Sequence, residues 1–263
     1  MRRRIRLDHL LVERGLAENG SQAQAVILAG QVTVDGQVAS KPGAQVPLDA
    51  RLVLLARPQF ASRGGLKLAA ALDVFQVSAA GLVCADVGAS TGGFTDCLLQ
   101  RGATRVYAID VGYGQLAWRL RQDARVKVME RTNARYLAAL PEPVQLVTLD
   151  ASFISLGLLL PTVVRWLAAG AHVLPLVKPQ FEAGRDQVGK GGVVRDPAIH
   201  REVLARVAGY ARDCGMAAWG VMRSPIFGPA GNAEFMMHLR PQPPPASFDL
   251  AASIERCLGG APP

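Results

Sequence analysis

Cysteine is too scarce in this chain to build a covalent framework. The four cysteines, at 84, 97, 214 and 257 of 263 residues, contain no C-x-x-C pair. That argues against a disulfide scaffold or a zinc ribbon and favours a reducing compartment. Histidine is equally thin: His9, His172, His200 and His238 stand apart without metal-ligand spacing, so no metal requirement is expected. Long apolar runs are also missing. The most hydrophobic region, Val144 to Val177, is interrupted by Asp150, Pro161, Arg165 and His172, short of the ~20 apolar residues that a membrane span needs. Arg2, Arg3 and Arg4 are not followed by the apolar stretch of a secretion signal. No internal repeat is present. Acidic residues are outnumbered, 21 against 29 lysines and arginines, for a formal charge of +8. This balance suits a polyanionic partner, chiefly nucleic acid, and is also compatible with plain solubility. A soluble cytoplasmic protein without a membrane role is expected.

What the chain does contain is apolar residues, half of the total, enough for one large core and one small one. Residues 1–56 read as a compact module. Ile5, Leu7, Leu10 and Leu11 mark an amphipathic helix ending at Gly15. Ser21 is placed to cap a second helix, Gln22 to Ala29, stopped by Gly30. Val32 to Val38 reads as a hairpin through a type I′ Asp35-Gly36 turn, followed by a strand from Arg51 to Leu55. Arg3, Arg4, Arg6, Arg14 and Lys41 decorate this body and are candidate phosphate contacts. Residues 57–61 are a linker stiffened by Pro58.

The centre of the chain is Asp86-Val87-Gly88-Ala89-Ser90-Thr91-Gly92-Gly93-Phe94-Thr95-Asp96, between an apolar strand and a helix. The glycines permit φ > 0 and close approach of a ligand, and the emerging helix offers free N–H groups. The spacing G-x-x-x-G-G is neither the dinucleotide fingerprint nor a P-loop, since no Lys-Ser/Thr follows. The next strand, Arg105 to Ile109, ends in Asp110, a carboxylate able to accept both hydroxyls of a ribose. With no pyrophosphate motif, an adenosine bearing something other than phosphates is the better ligand, and S-adenosylmethionine fits. The plain alternative is an ordinary strand–turn–helix with a satisfied surface aspartate.

Strand and helix patterns alternate from Leu82 to Leu239, which predicts a doubly wound parallel α/β sheet. The strands are expected at 82–87, 105–109, 126–130, 144–149, 172–177, 217–223 and 234–239. A helix opens at Ser62-Arg63-Gly64-Gly65-Leu66-Lys67 and puts Lys67 on an apolar stripe with Ala71 and Val74, where a snorkelling side chain is the simplest reading. Asp150 and Lys178 end two strands, and Glu234 begins another. If that last strand runs antiparallel, Asp86, Asp110, Asp150, Lys178 and Glu234 converge where such sheets bind ligands, beside Lys67. Two ordinary salt bridges at a sheet edge are the alternative. After residue 240 come a proline-rich spacer and a short helix capped by Ser247 and reaching about Leu258.

The motifs carry a resemblance. Arg6-Leu7-Asp8, Arg14-Gly15, Ser21 and Val32-Thr33-Val34-Asp35-Gly36 resemble the RNA-binding domain of the small-subunit ribosomal protein S-four type. Ser62 to Lys67, Asp86 to Asp96, Asp110 to Leu116, Val177-Lys178-Pro179-Gln180-Phe181-Glu182 and Gly231-Asn232-Ala233-Glu234-Phe235 resemble the TlyA (hemolysin A) family of RNA 2′-O-methyltransferases, whose catalytic domain is similar to the FtsJ/RrmJ enzymes. The resemblance spans residues 5–240. It implies a Rossmann-like S-adenosylmethionine-dependent methyltransferase domain over 62–240, behind a small α+β RNA-binding domain. It also implies a catalytic tetrad of Lys67, Asp150, Lys178 and Glu234, acting on a cytidine of ribosomal RNA.

Cofactor contacts are implied at Ser62, Arg63, Gly64, Asp86, Gly88, Ala89, Ser90, Thr91, Gly92, Gly93, Phe94, Asp110, Val111 and Asn133, with Asp110 on the ribose and Asn133 near the adenine. The linker Arg57-Pro58-Gln59-Phe60 departs from the family's Arg/Lys-x-aromatic-Val pattern. A ribose 2′-OH is weakly acidic, so a cation must stabilise developing oxyanion character. Lys178 is the candidate, and its carboxylate neighbours favour charge stabilisation over strong general-base action. The glycine-rich stretch from Glu182 to Arg195 reads as a mobile polar loop whose Arg185, Lys190 and Arg195 are candidate RNA contacts. Two rivals are a membrane-active hemolysin and a non-catalytic RNA-binding assembly factor.

Overall fold

A computed structural model describes residues 4–28, 30–55 and 59–259, and the chain divides into two units, Met1–Gln59 and Phe60–Pro263. In the first unit the elements are β1 (Arg4–Arg6), α1 (Leu7–Glu13), α2 (Gly20–Leu28), β2 (Val32–Val34), β3 (Gln37–Ala39), β4 (Gln45–Pro47) and β5 (Leu52–Leu54). Both helices bury one face, with Leu7, Leu10 and Leu11 packed against Ala23, Ile27 and Val32. The sheet order is β3-β2-β5, and β1 pairs separately with β4. The hairpin closes as expected, because Asp35 and Gly36 both adopt positive φ, 50° and 85°. Two expectations shift. The amide of Gln22 donates to Asn19 Oδ1 at 2.9 Å, so Asn19 and not Ser21 opens α2. The β1–β4 pair has no periodic sequence signal because each strand is only three residues long.

The second unit begins at Phe60, which is 3% exposed and packs in its core. The expected linker 57–61 therefore loses its last two residues to this unit: the Ala61 amide donates to Asp96 Oδ2 at 2.7 Å. Its elements begin with α3 (Gly64–Val74), β6 (Val83–Val87), α4 (Gly93–Gln100), β7 (Arg105–Ile109), α5 (Trp118–Arg121) and β8 (Val126–Met129). They continue with β9 (Val144–Leu149), α6 (Leu156–Val163), β10 (Leu167–Val177), α7 (Pro179–Glu182), α8 (Pro197–Asp213), β11 (Ala217–Arg223), β12 (Phe235–Arg240) and α9 (Leu250–Gly259). The seven strands lie in the order β11-β12-β10-β9-β6-β7-β8.

The β8-β7-β6-β9-β10 pairs are parallel, and β12 runs antiparallel to both neighbours. Apolar clusters cover both faces, which is why the central strands read as near-continuous hydrophobic runs. The chain moves outward one way from β6 to β8, then returns to β9 on the other side of β6. That reversal opens a crevice at the carboxyl ends of β6 and β9. β10 starts five residues earlier than expected, through an irregular register between Leu167 and His172 that periodicity cannot reveal. The tail helix is opened by Asp249, whose Oδ1 accepts from the Ala252 amide at 3.1 Å, and not by Ser247.

Asp8, at the start of α1, is 1% exposed and accepts from Arg6 Nε and Nη2 at 3.0 and 2.7 Å, from the His9 amide at 3.0 Å and from Gln24 at 3.2 Å. The Arg6 guanidinium, acting against burial, holds this carboxyl down at about 2. A depressed carboxylate stabilises the folded state above the unfolded value near 4, and that contribution is lost as the pH falls through about 2. Asp8→Ala is expected to weaken this unit by about 2 kcal/mol at neutral pH and by much less at pH 2. Hydrogen-exchange protection of the α1 amides in the full chain measures this, and an equal loss at both pH values would contradict it.

Candidate active site

The turn from β6 to α4 is built by constraints that begin beneath it. Asp86 is fully buried and accepts from Thr95 Oγ1 at 2.6 Å and Thr148 Oγ1 at 3.1 Å, as well as from the Thr95 amide. Its carboxylate thus joins the last residues of β6 to the first turn of α4 and to β9. Gly88 has φ +82°, and a Cβ there would lie 2.6 Å from the Asp150 carbonyl oxygen. The two strand ends at the crevice can approach this closely only because that residue is glycine. Gly92 has φ +94°, and a Cβ would strike the Leu120 side chain at 2.2 Å. Ser90 is left-handed at φ 48°, and its amide donates to Asp110 Oδ2 at 2.8 Å. Asp110 Oδ1 accepts from the Gly112 amide at 2.6 Å.

Two cavities meet at this turn, of about 440 and 510 Å³. Ser62, Arg63, Gly64, Lys67, Ala89, Thr91, Gly93 and Phe94 line the first. Asp110, Val111, Asn133, Ser152 and Phe153 line the second. Gly88, Ser90 and Asp150 line both, so the chambers join at the sheet's switch point. Of the residues expected around a cofactor, Asp86 and Gly92 border neither chamber. Asp86 lies under the turn as a buried acceptor, and Gly92 is needed for conformation and packing. Asn133 already accepts from the Arg135 amide at 3.1 Å, which holds it at the rim.

Four charged residues from separate parts of the chain arrive here as two ion pairs. Lys67 Nζ lies 2.5 Å from Glu234 Oε2, and Lys178 Nζ lies 2.6 Å from Asp150 Oδ1. Lys67, Lys178 and Glu234 are all buried. Lys67 therefore does not snorkel, since a partner that sequence spacing cannot show lies 167 residues away. The antiparallel register pairs Val177 with Phe235, which sets Lys178 and Glu234 side by side one residue further on. Lys178 also donates to Ser152 Oγ at 2.9 Å, and the Asp150 carbonyl lies at 3.5 Å, so oxygens surround its ammonium group.

Several residues here were not singled out by sequence. Ser152 is one. Glu182 is another: it is buried and accepts from Ser155 Oγ and the Leu156 amide, both at 2.7 Å, and burial raises its carboxyl above the usual range. It ties the turn after β10 to the turn after β9. Asn232, 1% exposed, accepts from the Val194 amide and donates to the Gly192 carbonyl, both at 2.9 Å. Glu182 and Asn232 lie in motif segments, but their side-chain partners follow only from the folded chain. Phe153 is 90% exposed with φ 62°, and its ring lies 5.0 Å from that of Phe181. An apolar ring held outward beside a cavity is the feature a pattern of burial cannot predict.

Arg185, Lys190 and Arg195 are exposed, but their segment is not a featureless loop. It carries a 3₁₀ turn at Arg185–Gln187 and a Gly189–Val193 bridge, and Asn232 pins it to the turn before Glu234. In the first unit, Arg4 donates to the Gln45 carbonyl at 2.9 Å, and Lys41 is exposed. Arg6 is held by Asp8, and Arg14 donates to the Leu48 and Ala50 carbonyls at 2.5 and 2.6 Å. Arg6 and Arg14 thus have structural roles that their exposure alone would hide. Arg3 lies outside the described residues. No cluster of three or more metal-binding side chains occurs among the described residues.

Residues 60–241 match the FtsJ-like methyltransferase family, and residues 5–52 match the S4 domain. The chain belongs to the FtsJ-like methyltransferase family. The 16S/23S rRNA (cytidine-2′-O)-methyltransferase TlyA of Mycobacterium tuberculosis is 47% identical over 100% of both chains. Hemolysin A of Brachyspira hyodysenteriae is 38% identical over 89% of this chain and 99% of its own. A solved hemolysin-named protein from Streptococcus thermophilus is 41% identical, with a TM-score of 0.73 and coverage of 98% of this chain and 96% of that one.

As an FtsJ-like methyltransferase the chain takes S-adenosylmethionine as cofactor, and the site suits it. Asp110 accepts two backbone N–H groups and keeps acceptor capacity for a ribose diol, while Val111, Ile154 and Leu159 supply apolar wall. The adjoining chamber opens on the start of α4.

Burial raises Asp86 to about 7. In the window between the ordinary value near 4 and about 7, the folded chain holds a proton that the unfolded chain releases. This contribution to stability is full below about pH 4 and is lost as the pH rises through about 7. Thermal unfolding from pH 5 to 8 is expected to show this decline in the wild type and a flatter profile in Asp86→Asn. Parallel profiles would mean that Asp86 does not titrate in this range.

Proposed function

We propose that this protein transfers a methyl group from S-adenosylmethionine to the 2′-hydroxyl of a cytidine in ribosomal RNA, in the cytoplasm. The observation that carries the reading is the meeting of two ion pairs, Lys67–Glu234 and Lys178–Asp150, beside the two cavities, with Lys67, Glu234 and Lys178 buried and Asp150 partly open. Burying three of these charges without a task is costly, and removal of either partner of a pair leaves an uncompensated charge. The cytidine and rRNA preferences rest on the full-length likeness to the mycobacterial enzyme.

In this reading Asp110 holds the ribose of the cofactor, with Asn133 and Val111 at the adenine end. When bound, S-adenosylmethionine supplies an electrophilic methyl on a sulfonium that departs neutral. Methyl transfer is an in-line displacement: the carbon–sulfur bond breaks as the carbon–oxygen bond forms, and the hydroxyl proton passes to solvent. The protein must hold the oxygen behind the methyl carbon, and such orientation contributes several kcal/mol. Lys178, fixed by Asp150 and Ser152, stabilises the developing oxyanion. Lys67 and Glu234 brace the neighbouring face of the site. The exposed ring of Phe153 offers a stacking surface for the base of the target nucleotide. Residues 1–56 dock structured RNA through Arg4 and Lys41, with Arg185, Lys190 and Arg195 adding contacts beside the site.

The hemolysin name of the Brachyspira relative keeps a second reading in view. No helix among the described residues is long and apolar enough to cross a membrane. Lysis of erythrocytes by the purified protein is the outcome that would favour it.

Three outcomes test the proposal. Lys178→Ala is expected to abolish single-turnover transfer of labelled methyl to ribosomal subunits while leaving cofactor affinity within about twofold; wild-type turnover would remove Lys178 from the reaction. Asp110→Ala is expected to weaken cofactor binding about 10- to 100-fold in calorimetry, the loss for charge-assisted hydrogen bonds to a diol. Unchanged affinity would place the nucleoside elsewhere. Replacing Arg185, Lys190 and Arg195 together by alanine is expected to weaken rRNA binding and flatten its salt dependence. An unaltered salt titration would free this segment from any RNA role.

A further inference from the structure

Beyond the reacting centre, the second unit has a cleft of about 380 Å³ where the edge strand β11 meets the end of α3 and the tail helix α9. Val74, Phe75 and Met222 give it an apolar floor, and Arg223 and Arg256 bring two guanidinium groups. No carboxylate lines it among the described residues. The acids nearest in sequence are engaged elsewhere: Glu255 pairs with Arg201 at 2.5 Å, and Asp73 with Arg101 at 2.6 Å. Among the described residues, Arg256 donates to Ser253 Oγ, at 2.8 Å, and has no carboxylate partner. Arg223 lies 5.7 Å from the Phe227 ring, and its buried Nε has no acceptor. Two cations without counter-charges among the described residues, over an apolar floor, leave a local positive potential that a neighbouring anion would satisfy.

Strand register places this cleft close to the chemistry. Arg223 pairs with Phe235, and Phe235 pairs with Val177, the residue before Lys178. Two inter-strand steps put Arg223 roughly 10 Å from that strand end along the sheet. α9 lies beyond residue 241, where the match to the methyltransferase family stops.

We propose that β11 and α9 form a second RNA contact, a cleft that takes a backbone phosphate of the rRNA outside the target nucleotide, with the sugar against the apolar floor. This rests on the rRNA reading above. The tail helix thereby extends the RNA path from the active site across the edge of the sheet. Phosphate contacts position an RNA without reading its sequence, so the cleft contributes affinity and not the choice of nucleotide.

The test uses the full-length protein and a transcript of the rRNA region it methylates, with binding followed by fluorescence anisotropy from low to physiological salt. Arg256→Ala, at an exposed position, is expected to weaken binding about 3- to 10-fold at low salt. It should also reduce the slope of log affinity against log salt by about 1, the signature of one lost phosphate contact. Adding Arg223→Ala should deepen both effects. Cofactor affinity and the single-turnover rate at saturating RNA should stay at wild-type values, and an unchanged thermal midpoint would show that α9 still packs.

Arg212→Ala removes the same charge from the far end of α8 and should leave the slope unchanged. An unaltered slope in the Arg256 and Arg223 variants, or an equal change at Arg212, overturns the proposal. So does capture of a polyglutamate peptide by the wild type but not by Arg256→Ala when rRNA binding is unaffected, which would assign the cleft to an acidic polypeptide. If the wild type binds rRNA without methylating it, the enzymatic reading fails while the slopes still decide the cleft. If the wild type does not bind rRNA, both fall.

Discussion

Two ammonium groups cannot be taken out of water unless carboxylates come with them, and that requirement shapes the catalytic unit. The penalty for an isolated buried charge amounts to several kcal/mol. Lys67 and Lys178 are buried because Glu234 and Asp150 meet them at 2.5 and 2.6 Å. For this to happen, α3, β9, β10 and β12 must deliver their ends to one place. A parallel sheet with one antiparallel strand does so, since the start of β12 then lies beside the end of β10. A fully parallel sheet would carry Glu234 to the opposite end and leave Lys67 uncompensated.

The turn from β6 to α4 depends on a buried carboxyl, used differently. Asp86 touches neither cavity, yet it joins β6, α4 and β9 through Thr95 and Thr148. Gly88 lets the strand end approach Asp150, so the turn and the ion-pair site share a wall. The two chambers are therefore coupled through the backbone at Gly88 and Asp150. Glu182 and Asn232 extend the same logic outward: one joins the turns after β9 and β10, and the other ties the basic segment to the turn before Glu234.

Much of this was legible in the sequence. The alternation of apolar strands with helices places β7 and β9 where periodicity puts them, because strands buried on both faces have few polar positions to blur their limits. The glycine turn and the acid after the next strand read as a nucleoside site. Other features were not legible. Asn19 and Asp249 open helices where Ser21 and Ser247 were expected to, since a cap is chosen by backbone geometry and not by residue type alone. Arg6 and Arg14 read as free surface cations, yet both are held by partners within their own unit. Lys67 looked like a snorkelling lysine because helix periodicity reports only neighbours three or four residues away.

The residue order by itself determined most of the secondary elements, the two-part organisation and the chemical types available at each strand end. These follow from local sterics and hydrophobic period, which act over a few residues. Only the tertiary structure decided which charge meets which, that Asp86 lies beneath the turn, and that Ser152 shares the Lys178 ammonium with Asp150. It alone brought α9 against β11, with Arg223 and Arg256 lining one cleft. Such pairings depend on strand order and register, which are settled when distant segments bury their apolar faces together, and no local pattern encodes them.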